Sequence, residues 1–312
     1  MTTSPTTAIV VGVDGSRQSL HAVDWAAREA VARRCPLRIV HAFLWPLLNV
    51  PTGPPAGGPP DAGLRNAADD ILAAATDRAR QGAPALDIST DLPVCSPAAA
   101  LIEASHDAGL VVVGHRGLGG FTGLLVGSVG VQAAAHADCP VVVVRGSDAV
   151  EAGPATGHVV VGVDGSPLSD LAIDFAFSHA ARHGLSVAAV HVHQRPEFTV
   201  PGDQPLPGPE GEDRRDYETR LLTDALAGYV DKYPDVPVHR KIVMGRPSAV
   251  LVAESAGAAL TVVGSRGGGG FAGLLLGSTS QTVLQHATGP VAIVRARSTR
   301  PGRATTGVRA GL

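Results

Sequence analysis

Two glycine-rich segments have the residue types and the spacing to hold an anion. The first reads Gly114-His115-Arg116-Gly117-Leu118-Gly119-Gly120 and runs on to Gly127-Ser128-Val129. The second reads Gly264-Ser265-Arg266-Gly267-Gly268-Gly269-Gly270 and runs on to Gly277-Ser278-Thr279. Both have the form G-x2-G-x9-G-S. Glycines let a backbone come close to a ligand. The serine at the end of each motif opens an apolar helical pattern, and a helix N-terminus offers free N–H groups and a dipole that favour negative charge. Ser128 and Ser278 are placed to cap those helices or to donate to a phosphate. Arg116 and Arg266 add positive charge. A second pair of segments, Gly12-Val13-Asp14-Gly15-Ser16 and Gly162-Val163-Asp164-Gly165-Ser166, closes an apolar run with a carboxylate.

Other phosphate motifs fit less well. The glycines of a dinucleotide-binding fingerprint follow the first strand of the fold, whereas here the first strand ends in Val-Asp-Gly-Ser. A Walker A loop needs a lysine after its glycines, and neither Lys232 nor Lys241, the only lysines, is so preceded. His41, His191 and His193 sit at strand ends and read as partly buried, satisfied histidines. No converging set of metal ligands is evident, and residue order alone shows no nucleophile triad. Cys35, Cys95 and Cys139 are too few and too scattered for a disulfide framework or a zinc site.

The elements that position these residues occur twice. Ile9–Ser16 returns as Val159–Ser166, 150 residues on, and His41, Pro97, Gly114, Ser128, Pro140 and Arg145 return at the same offset. A period this long is a duplicated domain, not a solenoid unit. Domain one is expected over residues 1–146, a linker over 147–157, domain two over 158–297 and a frayed tail over 298–312. Within the first copy, the apolar runs Ala8–Val13, Leu37–Phe43, Leu86–Leu92, Leu110–Val113 and Val141–Arg145 read as strands. They alternate with helices following Ser16, Ala62, Ser96 and Ser128. The Pro/Gly-rich stretches Pro46–Gly63 and Pro196–Gly211 are long for such connections. The fold class is α/β: two tandem, doubly wound domains, each a five-stranded parallel sheet flanked by helices. Ligands in such sheets settle at the carboxyl ends of strands near the topological switch, where Asp14 and Gly114 both fall. The apolar final strands Val141–Val144 and Val291–Val294 would be exposed edges unless paired. Pairing them inside one chain removes two edges at once, and a homodimer of such chains is the further assembly expected.

Composition narrows the class. The chain has 312 residues, 45% of them hydrophobic and 17% charged, with a formal net charge of −3. That suffices for a core and lacks the basic excess of a general nucleic-acid binder. Aromatic residues are only 4%, so the core is built from small aliphatic side chains. No apolar run approaches the ~18 residues of a membrane span, and the first residues do not read as a signal peptide. A cytoplasmic protein with no membrane and no nucleic-acid partner is expected.

These motifs and their repetition resemble the universal stress protein family, in its tandem, ATP-binding subgroup. The likeness covers about residues 8–145 and 158–296. It implies ATP as the ligand, with Mg2+ accompanying the nucleotide and one site per domain. By that resemblance Asp14 and Asp164 approach the nucleoside, and Gly12 and Gly162 lie beside them. The backbone of Ala42 and of Val192 meets the adenine. The glycine loops with Ser128, Val129, Ser278 and Thr279 hold ribose and phosphates. The implied role is a regulatory nucleotide-binding module in stress response. A slow ATPase or a nucleotidyl-transfer enzyme on the same scaffold is the alternative. No general base and no lysine near either loop supports phosphoryl transfer.

Overall fold

The computed structural model describes residues 7–43, 62–117, 126–145, 157–193, 212–268 and 275–296. Both Pro/Gly-rich stretches, the tail and the expected linker apart from Gly157 lie almost wholly outside them. The first repeat contributes β1 (Ala8–Gly12), α1 (Arg17–Arg33), β2 (Leu37–Val40), α2 (Ala62–Gly82), β3 (Ile88–Asp91), α3 (Pro97–Ser105), β4 (Ala108–Gly114), α4 (Ser128–His136) and β5 (Val141–Val144). The second contributes β6 (His158–Val163), α5 (Pro167–His183), β7 (Ser186–His193), α6 (Glu212–Lys232), β8 (Val238–Met244), α7 (Pro247–Glu254), β9 (Leu260–Gly264), α8 (Ser278–His286) and β10 (Val291–Val294).

Valine-rich runs form the central strands because a strand covered on both faces needs apolar side chains at every position. Val141–Val144 is buried throughout, as is Val291–Val294. Helix starts follow local chemistry. The Ser16 hydroxyl accepts the Ser19 N–H at 3.1 Å and Ser166 accepts that of Ser169 at 3.2 Å, with Pro167 in the first turn of α5. Each satisfies a donor that the helix leaves free. Helices α1, α2, α5 and α6 pack on one face of the sheet. Helices α3, α4, α7 and α8 cover the other.

All strands join one sheet in the order β3-β2-β1-β4-β5-β10-β9-β6-β7-β8. Within each half the pairing is parallel, and β5 meets β10 antiparallel, with Val141 opposite Ile293, Val142 opposite Ala292 and Val143 opposite Val291. The two final strands therefore cover each other. Two arginines clamp this seam reciprocally. Arg145 donates to the carbonyls of Leu284 and, at 2.8 Å, Gln285, at the end of α8. Arg295 donates to Ala134 O in α4 at 3.3 Å. A cation at a helix C-terminus meets free carbonyls and the negative end of the dipole. Burying a valine or isoleucine contributes about 1.5–3 kcal/mol, against about 0.5–1.5 for a net hydrogen bond. Apolar burial therefore supplies the adhesion, and the arginines fix the orientation.

Residues 1–146 expressed alone are expected to self-associate through the uncovered β5 edge. Light scattering should return about twice the half-chain mass. A folded half that stays monomeric at high concentration would show that the seam is not needed to protect that edge.

Candidate functional site

The chain leaves β1 at Gly12 and turns at once. Asp14 Oδ1 accepts the Ser16 N–H at 3.0 Å, and Asp164 Oδ1 accepts that of Ser166 at 3.0 Å. This Asx turn holds each carboxylate at the carboxyl end of its strand, with Oδ2 toward the glycine loop after β4 or β9. A Cβ on Gly117 would collide with Asp14 Oδ2, and one on Gly267 with Asp164 Oδ2. In the second repeat Gly268 N–H donates to Asp164 Oδ2 at 3.0 Å. Any side chain at Gly117 or Gly267 would push the carboxylate from the place it holds. Gly114 is constrained from another side: a Cβ there would lie 2.7 Å from the Gln18 carbonyl oxygen at the start of α1.

The long spacing of the motif closes a loop. Gly127 N–H donates to His115 O at 2.7 Å, and Gly277 N–H to Ser265 O at 2.8 Å. The same two residues bond to the last strands, His115 N–H to Val144 O at 2.9 Å and Ser265 N–H to Val294 O at 2.7 Å. His115 and Ser265 thus act through their backbones as the loop's anchors. The Ser265 side chain is buried, and His115 does not line the cavity described below. Burial, then the charges of Arg145 and Arg116, hold the His115 imidazole below the usual histidine range.

The sequence suggested that Ser128 and Ser278 could cap α4 and α8. The N-cap positions are instead Gly127 and Gly277, and neither helix has a side-chain capping bond. The serines occupy the first helical position, one residue too late for their hydroxyls to reach back. The N-termini of α4 and α8 are consequently open, unlike those of α1 and α5, and suit an anion.

His41 holds the opposite wall. Its Nδ1 lies 2.8 Å from Val13 O, as does that of His191 from Val163 O, so each ring donates across the first two strands of its half. His191 also meets Glu218 Oε2 through Nε2 at 2.8 Å. Both are satisfied histidines, and by fixing the strand ends they set the height of Ala42 and Val192.

In the first repeat these elements enclose a cavity of about 510 Å³, within the usual size of a small-ligand site. Gly12, Asp14, Ala42, Gly114, Arg116 and Gly117 line one part of it, and Gly127, Ser128 and Val129 another. Gly162, Asp164, Val192, Gly264, Arg266, Gly267, Gly268, Gly277, Ser278 and Thr279 stand at the matching strand and helix ends of the second repeat. Leu118, Gly119, Gly120, Gly269 and Gly270 lie outside the described residues. Sequence reasoning missed Ser19, Ala100 and Leu101, which also face the cavity. Ser19 is one turn into α1, and its spacing from Asp14 carries no signal until the turn geometry is known. Pro97 lines the wall too, although its sequence signal was only its recurrence as Pro247.

Comparison with known proteins places this architecture. The profile described as the universal stress protein family matches residues 6–145 and 156–295. A universal stress protein of Mycolicibacterium smegmatis is 39% identical over 295 residues, covering 93% of this chain and 97% of its own. One from Mycobacterium tuberculosis is 39% identical over 292 residues, covering 92% and 96%. Among solved structures, a universal stress protein from Archaeoglobus fulgidus superposes with a TM-score of 0.69 at 19% identity, covering 93% of this chain and 99% of that one.

The two strand-end histidines differ in what their loss exposes. His191→Ala loses its bond to Val163 O and a second one to the buried Glu218 carboxyl group, and should cost about 1.5–3 kcal/mol more than His41→Ala. His41→Ala loses a hydrogen bond to a backbone carbonyl and should cost about 1–3 kcal/mol. Denaturant titration of both variants checks the order; equal losses would mean that the Glu218 pair contributes nothing.

Proposed function

The chain belongs to the universal stress protein family as a tandem-domain member, and from that premise we propose that it binds one ATP in each domain as a regulatory module of the cytoplasmic stress response. The observation that carries this reading is the cradle itself. A glycine loop is pressed against an Asx-turn carboxylate and leads into a helix N-terminus that no side chain caps. A Cβ would fill that cradle in either repeat, and the open N–H groups are the donors a polyphosphate needs.

The roles follow the chemistry of the groups. Asp14 and Asp164 accept from ribose hydroxyls. In the second domain, Asp164 would exchange its Gly268 amide for such a hydroxyl and release that N–H toward a phosphate. Ser128 and Ser278 donate to phosphate oxygens with hydroxyls that are not spent on capping. Arg116 and Arg266 lower the cost of gathering negative charge. The backbone of Ala42 and Val192 recognises the base edge. ATP brings the polyanion, and Mg2+ arriving with it neutralises part of that charge.

Binding is favoured over turnover. Among the described lining residues Asp14 is the one carboxylate, and it already accepts from Ser16. His41 is engaged with Val13 O. In this reading Asp14 is committed to the ribose and His41 to fixing the strand end, so neither is assigned to activating a nucleophile.

Calorimetry with Mg-ATP should give a stoichiometry near two per chain. Gly117→Asp and Gly267→Asp each place a carboxylate in the cradle, so each should remove one site. The double variant should bind none and keep a native circular dichroism spectrum. A wild-type stoichiometry near zero would overturn the reading, and a value near one would assign the nucleotide to a single domain.

A further inference from the structure

The seam carries a second cluster, on the face away from α4 and α8. There α1 of the first repeat meets α5 of the second. Glu29 is 1% exposed and lies among four bases. His183 Nε2 is 2.7 Å from Glu29 Oε2, and His179 Nδ1 is 3.0 Å from the same oxygen. Arg33 Nε holds the other oxygen, Oε1, at 2.5 Å, with Arg182 4.0 Å away. Although close to Glu29, the buried His179 Nδ1 is not aligned for a hydrogen bond and has no partner in one. Trp25 and Phe175 each stack parallel to its ring, at 5.8 and 6.5 Å between centroids.

A pair of histidines four apart on one helix and a carboxylate from a facing helix form a familiar ligand set for a borderline divalent ion. Nitrogen and carboxylate atoms from the three side chains lie within 4.8 Å of one another. Ligand atoms about 2 Å from a tetrahedral ion stand roughly 3.3–4 Å apart, so closure asks for side-chain shifts on the order of an ångström. Arg33 bonds only Oε1 and leaves Oε2 to the histidines, the outer-shell arrangement that orients a ligating carboxylate. We propose that Glu29, His179 and His183 bind a zinc-class divalent cation that clips the first repeat to the second.

Access supports the assignment beyond the ligand geometry. The His183 side chain is 23% exposed, which gives an ion a route in. The site is independent of the nucleotide cradles, which open at strand ends and draw on none of these residues.

The test uses the full, tag-free chain, stripped with EDTA, desalted and titrated with Co2+ in nucleotide-free buffer. One ion per chain should bind with the visible ligand-field absorption of a low-coordinate nitrogen and oxygen site, and Zn2+ should displace it. His183→Ala removes a partly exposed ligand without opening the core and should weaken binding on the order of 100-fold or more. Glu29→Gln should do the same. His136→Ala, at an exposed histidine in α4, should change nothing. Zn2+ should raise the thermal midpoint of the wild type and not that of His183→Ala. Absence of the absorption, or equal Co2+ affinity in the wild type and in folded His183→Ala, would overturn the site. A midpoint that responds to pH but not to Zn2+ would also overturn it, and would mark the cluster as a proton-linked ion network.

Discussion

The antiparallel pairing of β5 with β10 is the constraint on which the remaining geometry depends. It joins two parallel five-stranded sheets into one and relates the repeats by a local twofold through the seam. A valine-only strand such as Val141–Val144 has no charge, proline or bulge to protect an open edge, so it needs a partner. The duplicated strand supplies one in the same chain. Once that pairing is set, Arg145 reaches α8 and Arg295 reaches α4 without further adjustment.

The same symmetry places the two kinds of site differently. Each proposed nucleotide cradle lies within one repeat, at the junction of its first and fourth strands, and draws on no residue of the other half. The Glu29 cluster exists only because the halves meet. Glu29 and His179 are equivalent positions one repeat length apart, as are Arg33 and His183. The local twofold therefore brings an acid of one copy against a base of the other. Because the repeats differ at these positions, the contact across the twofold is complementary and not a pairing of like charges.

Most of the strand-and-helix order was legible because apolar runs and N-cap serines report local physics. Ser16, Ser96 and Ser166 cap helices as their positions imply. The seam was legible from the edge argument alone. Of the two roles open to Ser128 and Ser278, capping fails: a serine just after glycine looks like a cap, and only the backbone shows that the glycine holds that position. Gly117 reads in the sequence as a place where the backbone approaches a ligand, and the fold puts a carboxylate beside it. That its close neighbour is Asp14 follows from the β1–β4 pairing, which the sequence does not print. The Glu29 cluster was invisible for a deeper reason. A search for self-similarity keeps positions where the copies agree, and these are positions where they differ. The His179-x3-His183 spacing was the available signal, and its meaning required knowing that α1 faces α5.

The claim at the centre of this account is that each strand-end cradle holds an adenine nucleotide through its glycine loop and its Asx-turn carboxylate. Native mass spectrometry of the freshly purified full chain, followed by identification of the released ligand on denaturation, tests it most directly. The account predicts a species carrying two ATP per chain, reduced to one in Gly117→Asp and in Gly267→Asp. A chain that carries no nucleotide and takes up none on incubation with Mg-ATP, or that keeps both in the double variant, would contradict it.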